Sequence, residues 1–330
     1  MSTTTSTRAI RIHAPGGPEA LSLDTVSLAE PGPGEILVRQ AFSGVNFVDI
    51  YHRTGLYGQP ALPAGLGVEG AGTVERVGPG VAGLREGDRI AYAGLPAGSY
   101  AGHRLLPAER AIRLPDGIGF DVAAAVLVRG LTAHMLFERV RPLRPGDTVL
   151  IQAAAGGVGV IATQWARRRG ATVIGTVGDA RKAEVAKAHG ADHVILYRET
   201  DFVAAVREIT GGRGADMAID GVGGDTLLRT FDAMAPYGLV ASLGQVGGSL
   251  PTIDVGELGP ARSIALARPS VLRHYLPDPA IYPRAAAEVL AEVEAGLRPL
   301  IGAVYPLAEA AEAHRALEAG RTSGSVLLEV

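Results

Sequence analysis

The stretch "TVLIQAAAGGVGVIATQWARRRG", residues 148–170, decides the fold. It reads as a buried strand run, a turn of small residues, and an amphipathic helical segment. Ala154, Gly156 and Gly159 stand at G-x-G-x-x-G spacing, with alanine in the first place. A lone glycine-rich turn is weak evidence, because glycine recurs wherever a helix packs close to a strand. Here the confirming context is present, with a strand before and a helix after. The start of that helix offers unpaired N–H groups and a positive dipole end to a pyrophosphate. Ala154, Gly156, Gly157, Val158 and Gly159 are therefore candidate dinucleotide-binding residues.

Outward from this unit, apolar strand runs alternate with helix-period segments: 171–177, 192–197, 215–222 and 238–244, with a further run, "RSIALARP", at 262–269. Such alternation predicts βαβ units and a parallel sheet covered on both faces, a doubly wound α/β fold. Residues 8–115 differ. They read as short β-rich runs broken by Gly and Pro, a compact mostly-β unit. The tail carries two amphipathic helical stretches (284–296 and 307–320) and two strand-like runs. It does not extend the alternation, so it is expected to return to the first unit.

Composition narrows the setting. The 330 residues suffice for about two domains. Formal charge is −3, and no long run of either sign gives a footprint for nucleic acid or an anionic membrane. There is no cysteine, which excludes disulfides and any thiolate nucleophile or ligand. No apolar run reaches the ~20 residues that a bilayer span requires. A cytoplasmic protein is expected.

The second strand of the alternating region bears on which dinucleotide binds. A carboxylate about 20 residues past the glycines would bond the adenosine ribose and favour NAD. In "GTVGDARK", residues 175–182, that place falls to Val177 and Gly178. Asp179 follows and reads as a helix N-cap. Lys182, one of only two lysines in the chain, comes one turn later. Tyr197 closes the next strand run. A cation and a phenol beside a missing carboxylate predict a 2′-phosphate pocket, hence NADPH.

The chain resembles the medium-chain dehydrogenase/reductases, and among them the zeta-crystallin-like NADPH:quinone oxidoreductases. The resemblance runs end to end and is carried most specifically by residues 42–57 and 153–182, with "GVEGAGTVERVGPGV", "RGLTA", "DGVGGDT" and "ARPSV" shared more widely. It implies a GroES-like catalytic domain made of residues 1–126 and 272–330 around a Rossmann NADPH-binding domain of 127–271. It further implies a homodimer joined along the Rossmann-sheet edge near 262–269. Thr132, Gly244, Gln245 and Arg321 carry over as cofactor-binding positions. Leu196, Leu243 and the placement of Arg321 depart from close relatives, which leaves the shape of the acceptor pocket open.

Zinc-dependent members of that superfamily place cysteine and histidine ligands where this chain has Asn46 and Val68. A catalytic zinc needs about three protein ligands, and none is expected here. Without a Lewis acid, alcohol oxidation is disfavoured, whereas a quinone or enone needs only a hydride or electron donor and hydrogen bonds to the developing oxyanion. Within "NFVDIYHRTGLY", residues 46–57, the Asn46 amide and the Tyr51 and Tyr57 hydroxyls are candidate donors, with Asp49 orienting them. The expected function is NADPH-dependent quinone reduction. The alternative is reduction of an enal or enone double bond with the same cofactor. A third class, the lens-structural or RNA-binding role of zeta-crystallin relatives, is disfavoured by the weak net acidity.

Overall fold

The computed structural model describes residues 4–58 and 61–330. The chain divides into two compact units, one of residues 1–129 and 276–330 and one of residues 130–275.

The first unit opens with an antiparallel pair, β1 (Thr5–Ile12) and β2 (Leu21–Leu28). Strand β3 (Glu35–Val45) leads through Asn46 into the short helix α1 (Phe47–Arg53). Then come β4 (Ala64–Gly65), β5 (Glu69–Val77), β6 (Arg89–Ala93), β7 (His103–Pro107) and β8 (Ile112–Arg113). Helix α2 (Phe120–Met135) follows, and the division at 129/130 falls within it.

The second unit alternates without exception as far as its fifth strand: β9 (Thr148–Ile151), α3 (Gly157–Arg168), β10 (Thr172–Val177), α4 (Ala180–Ala188), β11 (His193–Leu196), α5 (Phe202–Ile209), β12 (Ala215–Asp220), α6 (Gly224–Asp232) and β13 (Met234–Ser242). Strand β14 (Ala265–Ala267) closes the series. The tail supplies α7 (Tyr282–Glu294), β15 (Ile301–Pro306), α8 (Ala310–Glu318) and β16 (Ser325–Glu329).

In the second unit the six strands are all parallel, in the order β11-β10-β9-β12-β13-β14. This is the doubly wound order, reversing between β9 and β12, and ligands of such sheets bind beyond the carboxyl ends of the strands at the reversal. Both faces are covered, which is why β9 is buried at every position. Leu150, Ile174, Phe202, Val206, Ala218, Phe231 and Val240 form its core.

In the first unit the tail completes the sheet. β16 pairs antiparallel with β3, and β15 pairs with β16. Ala310, Ala313, Val326 and Leu328 from the tail bury against Ile10, Ile12, Val45 and Tyr100. The fold is thus the expected α/β one, a doubly wound parallel sheet with a mostly-β partner unit.

One expectation needs correcting. The helical stretch Phe120–Val140 is long and apolar enough, by length and composition, to cross a membrane. Helical continuity, rather than an uninterrupted apolar run, gives it that length. Most of it is buried inside the protein, including Arg129 and His134, as befits a core helix.

Candidate active site

The turn after β9 is built for close approach. Ala153 takes a left-handed conformation (φ 54°), which bends the chain sharply before α3 at the steric cost such a residue carries. Gly156 caps the helix, and the first bond made back to it comes from the Val160 N–H. The helix itself therefore offers no partner to the N–H groups of Gly157, Val158 and Gly159. Its first turn carries no acidic residue. At Gly159 a Cβ would lie 2.5 Å from the Ala153 carbonyl oxygen and 2.7 Å from that of Ala154. Glycine is required there for the helix to sit on the turn.

Two supports of this turn escape sequence reading. A Cβ on Gly175, in mid β10, would lie 2.6 Å from the Ala154 Cβ, so that glycine makes the room Ala154 fills. Its signal was a glycine inside a strand run. Beneath the turn, buried Gln152 accepts from the Thr176 hydroxyl (2.5 Å) and donates to that of Thr230 (3.1 Å). These bonds tie β9, β10 and α6 together.

At the end of β10, Asp179 caps α4 by accepting the Lys182 N–H at 2.9 Å. That bond, more than any other influence, holds its carboxyl below the usual carboxylate range. Lys182 is half-buried on the same first turn. A Cβ on Gly178 would meet the Tyr197 hydroxyl at 3.1 Å and the Arg198 Nε at 3.5 Å. Gly178, Tyr197 and Arg198 therefore converge where an NAD-type carboxylate would stand. Arg198 joins the group only in the structure; its one signal in the sequence is that it directly follows Tyr197.

The loops beyond β12 and β13 also meet. A Cβ on Gly244 would lie 2.6 Å from the Gly221 carbonyl oxygen. Asp220 is buried and accepts the N–H groups of Val222 (2.7 Å) and Gly223 (3.1 Å). Burial pushes its carboxyl above the usual range, against the pull of those N–H groups. Arg268, after β14, donates to the Ser242 hydroxyl (2.9 Å) and to the Gln245 side chain (3.3 Å). Thr132 is buried on α2.

The first unit holds the second cluster. The Asn46 Nδ2 donates to Glu69 at 2.8 Å, and its backbone N–H donates to Asp49 at 2.8 Å. Glu69, fully buried, also accepts the Val128 N–H and pairs with Arg129 at 2.5 Å. The expected use of the Asn46 amide as an oxyanion donor thus meets a competitor, a buried carboxylate that already holds that nitrogen. Tyr51 is buried and Tyr57 partly exposed, and their rings lie 4.9 Å apart. Asp49 has no exposed surface, and burial, above all, pushes its carboxyl up to about 7. Arg321 is exposed after α8 and pairs with Glu312 at 3.1 Å. Among the described residues no group of three or more His, Asp or Glu side chains is placed to hold a metal ion.

Known proteins resemble this chain over nearly its whole length. Residues 157–291 match the family model described as zinc-binding dehydrogenase, and residues 32–116 match that of the alcohol dehydrogenase GroES-like domain. A quinone oxidoreductase of Pseudomonas aeruginosa is 43% identical over 320 residues, covering 97% of this chain and 98% of the relative. A 2-haloacrylate reductase of a Burkholderia species is 40% identical, covering 96% and 97%. The crystal structure of Escherichia coli quinone oxidoreductase complexed with NADPH superposes with a TM-score of 0.94 at 41% identity, covering 98% of this chain and 100% of that one. The chain belongs to the medium-chain dehydrogenase/reductases, among the quinone oxidoreductases.

Proposed function

We propose that this protein reduces quinones with NADPH and without a metal. The observation that carries the reading is the end of β10, where Gly178 stands in place of an NAD-type carboxylate and faces Tyr197 and Arg198, with Lys182 on the adjoining helix turn and the Asp179 carboxylate engaged as the cap of α4. The residues present fit the cofactor, since the first N–H groups of α3 have no partner within the helix, its first turn carries no acidic residue, and the turn before it bears only small side chains, Ala154 and Gly156 among them.

Bound NADPH supplies the hydride; the chain's residues bind, orient and stabilise. Ala154 and Gly156 shape the turn, and the N–H groups of Gly157, Val158 and Gly159 receive the pyrophosphate. Lys182, Tyr197 and Arg198 hold the 2′-phosphate through charge-assisted bonds. Thr132, Gly244 and Gln245 border the nicotinamide end, and Arg321 adds a cation from the tail. Tyr51 and Tyr57 present hydroxyls to the acceptor oxygen as charge develops there. Asn46 is anchored by Glu69 and leaves its Oδ1 as the atom without a bond to that carboxylate. The metal-free reading rests on Asn46 and Val68 standing where zinc-dependent relatives have ligands.

The first unit would be the catalytic domain and the second the NADPH-binding domain. We also infer a homodimer joined through β14, which pairs on one side only, with β13, and beside which Tyr237 is 87% exposed. Isothermal titration with NADPH and NADH tests the cofactor reading. NADPH should bind about tenfold tighter or more, the worth of one charge-assisted contact; equal affinity would overturn it. A second reading, reduction of an activated carbon–carbon double bond, is favoured by the 2-haloacrylate reductase relative. An acceptor panel of quinones against 2-enals and 2-haloacrylates separates the two.

A further inference from the structure

Asp49 lies at the end of a line of buried side chains that the reaction described above does not use. Its Oδ2 accepts the Tyr100 hydroxyl at 3.1 Å, and that hydroxyl lies 3.2 Å from His314 Nε2. His314 Nδ1 is 3.1 Å from an Arg53 Nη, and Arg53 pairs with Glu318 through two bonds of 2.6 and 3.1 Å. Arg53, His314, Tyr100 and Asp49 are all essentially without exposed surface.

The direction of the line follows from its members. Arginine only donates, so His314 Nδ1 accepts and its ring proton sits on Nε2. That N–H donates to the Tyr100 oxygen, and the Tyr100 O–H donates to Asp49. Every dipole points at one carboxylate. Because Arg53 does not release its proton, the line polarises and does not conduct.

We propose that Tyr100, His314 and Arg53 are positioning residues for this site: their one-way array fixes the carboxyl of Asp49 and, through its bond to the Asn46 N–H, the start of α1. The inference rests on the proposed function for its link to catalysis. Its physical part stands on the geometry. The groups that act on Asp49 are the Asn46 N–H, the Tyr100 hydroxyl, Glu69 from β5 and Arg129 from α2; beyond Tyr100 come His314 from α8, then Arg53 on the helix of Asp49 itself, then Glu318 from α8. Burial, then Arg53, pushes His314 down to about 3, so it stays neutral. Burial and then the Asp49 charge raise the Tyr100 hydroxyl well above its ordinary value, which keeps its proton in place. Among the described residues Asp49 Oδ1 has no hydrogen-bond partner, so burial sets the high midpoint and the donors on Oδ2 are the bonds that pull it down.

The test is a ¹³C NMR titration of aspartate carboxyl carbons in the protein without cofactor, paired with the pH profile of kcat for quinone reduction. One carboxyl should titrate near 7 and vanish in Asp49→Asn. Tyr100→Phe removes a donor to the charged form and should raise that midpoint by about one unit. His314→Leu should raise it too, whereas His314→Gln, which keeps an acceptor for Arg53 and a donor for Tyr100, should stay close to the parent. The kcat limb should follow the same order. A midpoint unmoved by Tyr100→Phe and His314→Leu overturns the proposal, as does a moving midpoint with a fixed kcat limb. Absence of NADPH turnover with every acceptor would count against the proposed function and not against the array, which is read without cofactor.

Discussion

Gly159→Ala tests the glycine turn by the addition of one methyl group. The new Cβ would sit 2.5 Å and 2.7 Å from two backbone carbonyl oxygens, where ordinary contact begins at 3.4 Å. Relief requires a separation of roughly 0.9 Å between α3 and the turn. The turn cannot retreat on its own, because Ala154 already packs against the space left by Gly175. The helix start must therefore move, and overpacking of this kind costs about 1–3 kcal/mol. Its N–H groups move with it, so NADPH affinity should fall about tenfold or more, at roughly 1.4 kcal/mol per decade. Gly156→Ala is the control, since its Cβ would meet the Ala153 oxygen at 3.2 Å, a misfit of a few tenths of an ångström. Urea denaturation, followed through the single tryptophan, Trp165 on α3, and NADPH titration read the two effects. Wild-type stability together with wild-type affinity in Gly159→Ala would refute the reasoning.

Other substitutions test the first unit. Asp49→Asn should flatten the stability profile between pH 4 and 7. The folded carboxyl holds its proton up to about 7 while the unfolded one releases it near 3.8, so the stability this group contributes is complete below that lower value and is lost as pH rises to about 7. At about 1.4 kcal/mol per pH unit, roughly 4 kcal/mol is at stake; thermal melts across that range that show the same slope in both proteins would contradict this. Arg129→Leu leaves Glu69 buried without its ion pair and should cost about 3–5 kcal/mol in urea denaturation at neutral pH. Gln152→Leu takes the acceptor from the Thr176 hydroxyl and one donor from that of Thr230, which keeps its bond to the Thr226 carbonyl, and about 1–3 kcal/mol of stability should go with it; calorimetry reads the loss.

What was legible in the sequence was what local geometry demands of residue type. Ala154, Gly156 and Gly159 were readable because helix-on-turn contact admits only small side chains. Asp179 was readable as a cap because capping needs only the next few residues. The alternation of strand and helix gave the parallel sheet, since a parallel pair requires a crossover. The Asp49–Tyr100–His314–Arg53 line was not legible: Arg53 and His314 stand 261 positions apart and meet only once α8 packs back on the first unit. Asp49 could be read as an orienting group, but not what orients it. The commitment of the Asn46 amide to Glu69, 23 positions on, was likewise hidden. Arg198 follows the strand run that Tyr197 closes, and only the folded turn brings its guanidinium, like the Tyr197 hydroxyl, over Gly178.

Steady-state oxidation of NADPH and NADH by the purified protein with an ortho-quinone, repeated on Lys182→Ala, probes the 2′-phosphate pocket and the quinone reaction together. Turnover should be fast with NADPH over NADH, and in the variant the apparent NADPH affinity should fall about tenfold while NADH use is unchanged. Equal use of the two cofactors, untouched by the substitution, would contradict the 2′-phosphate pocket.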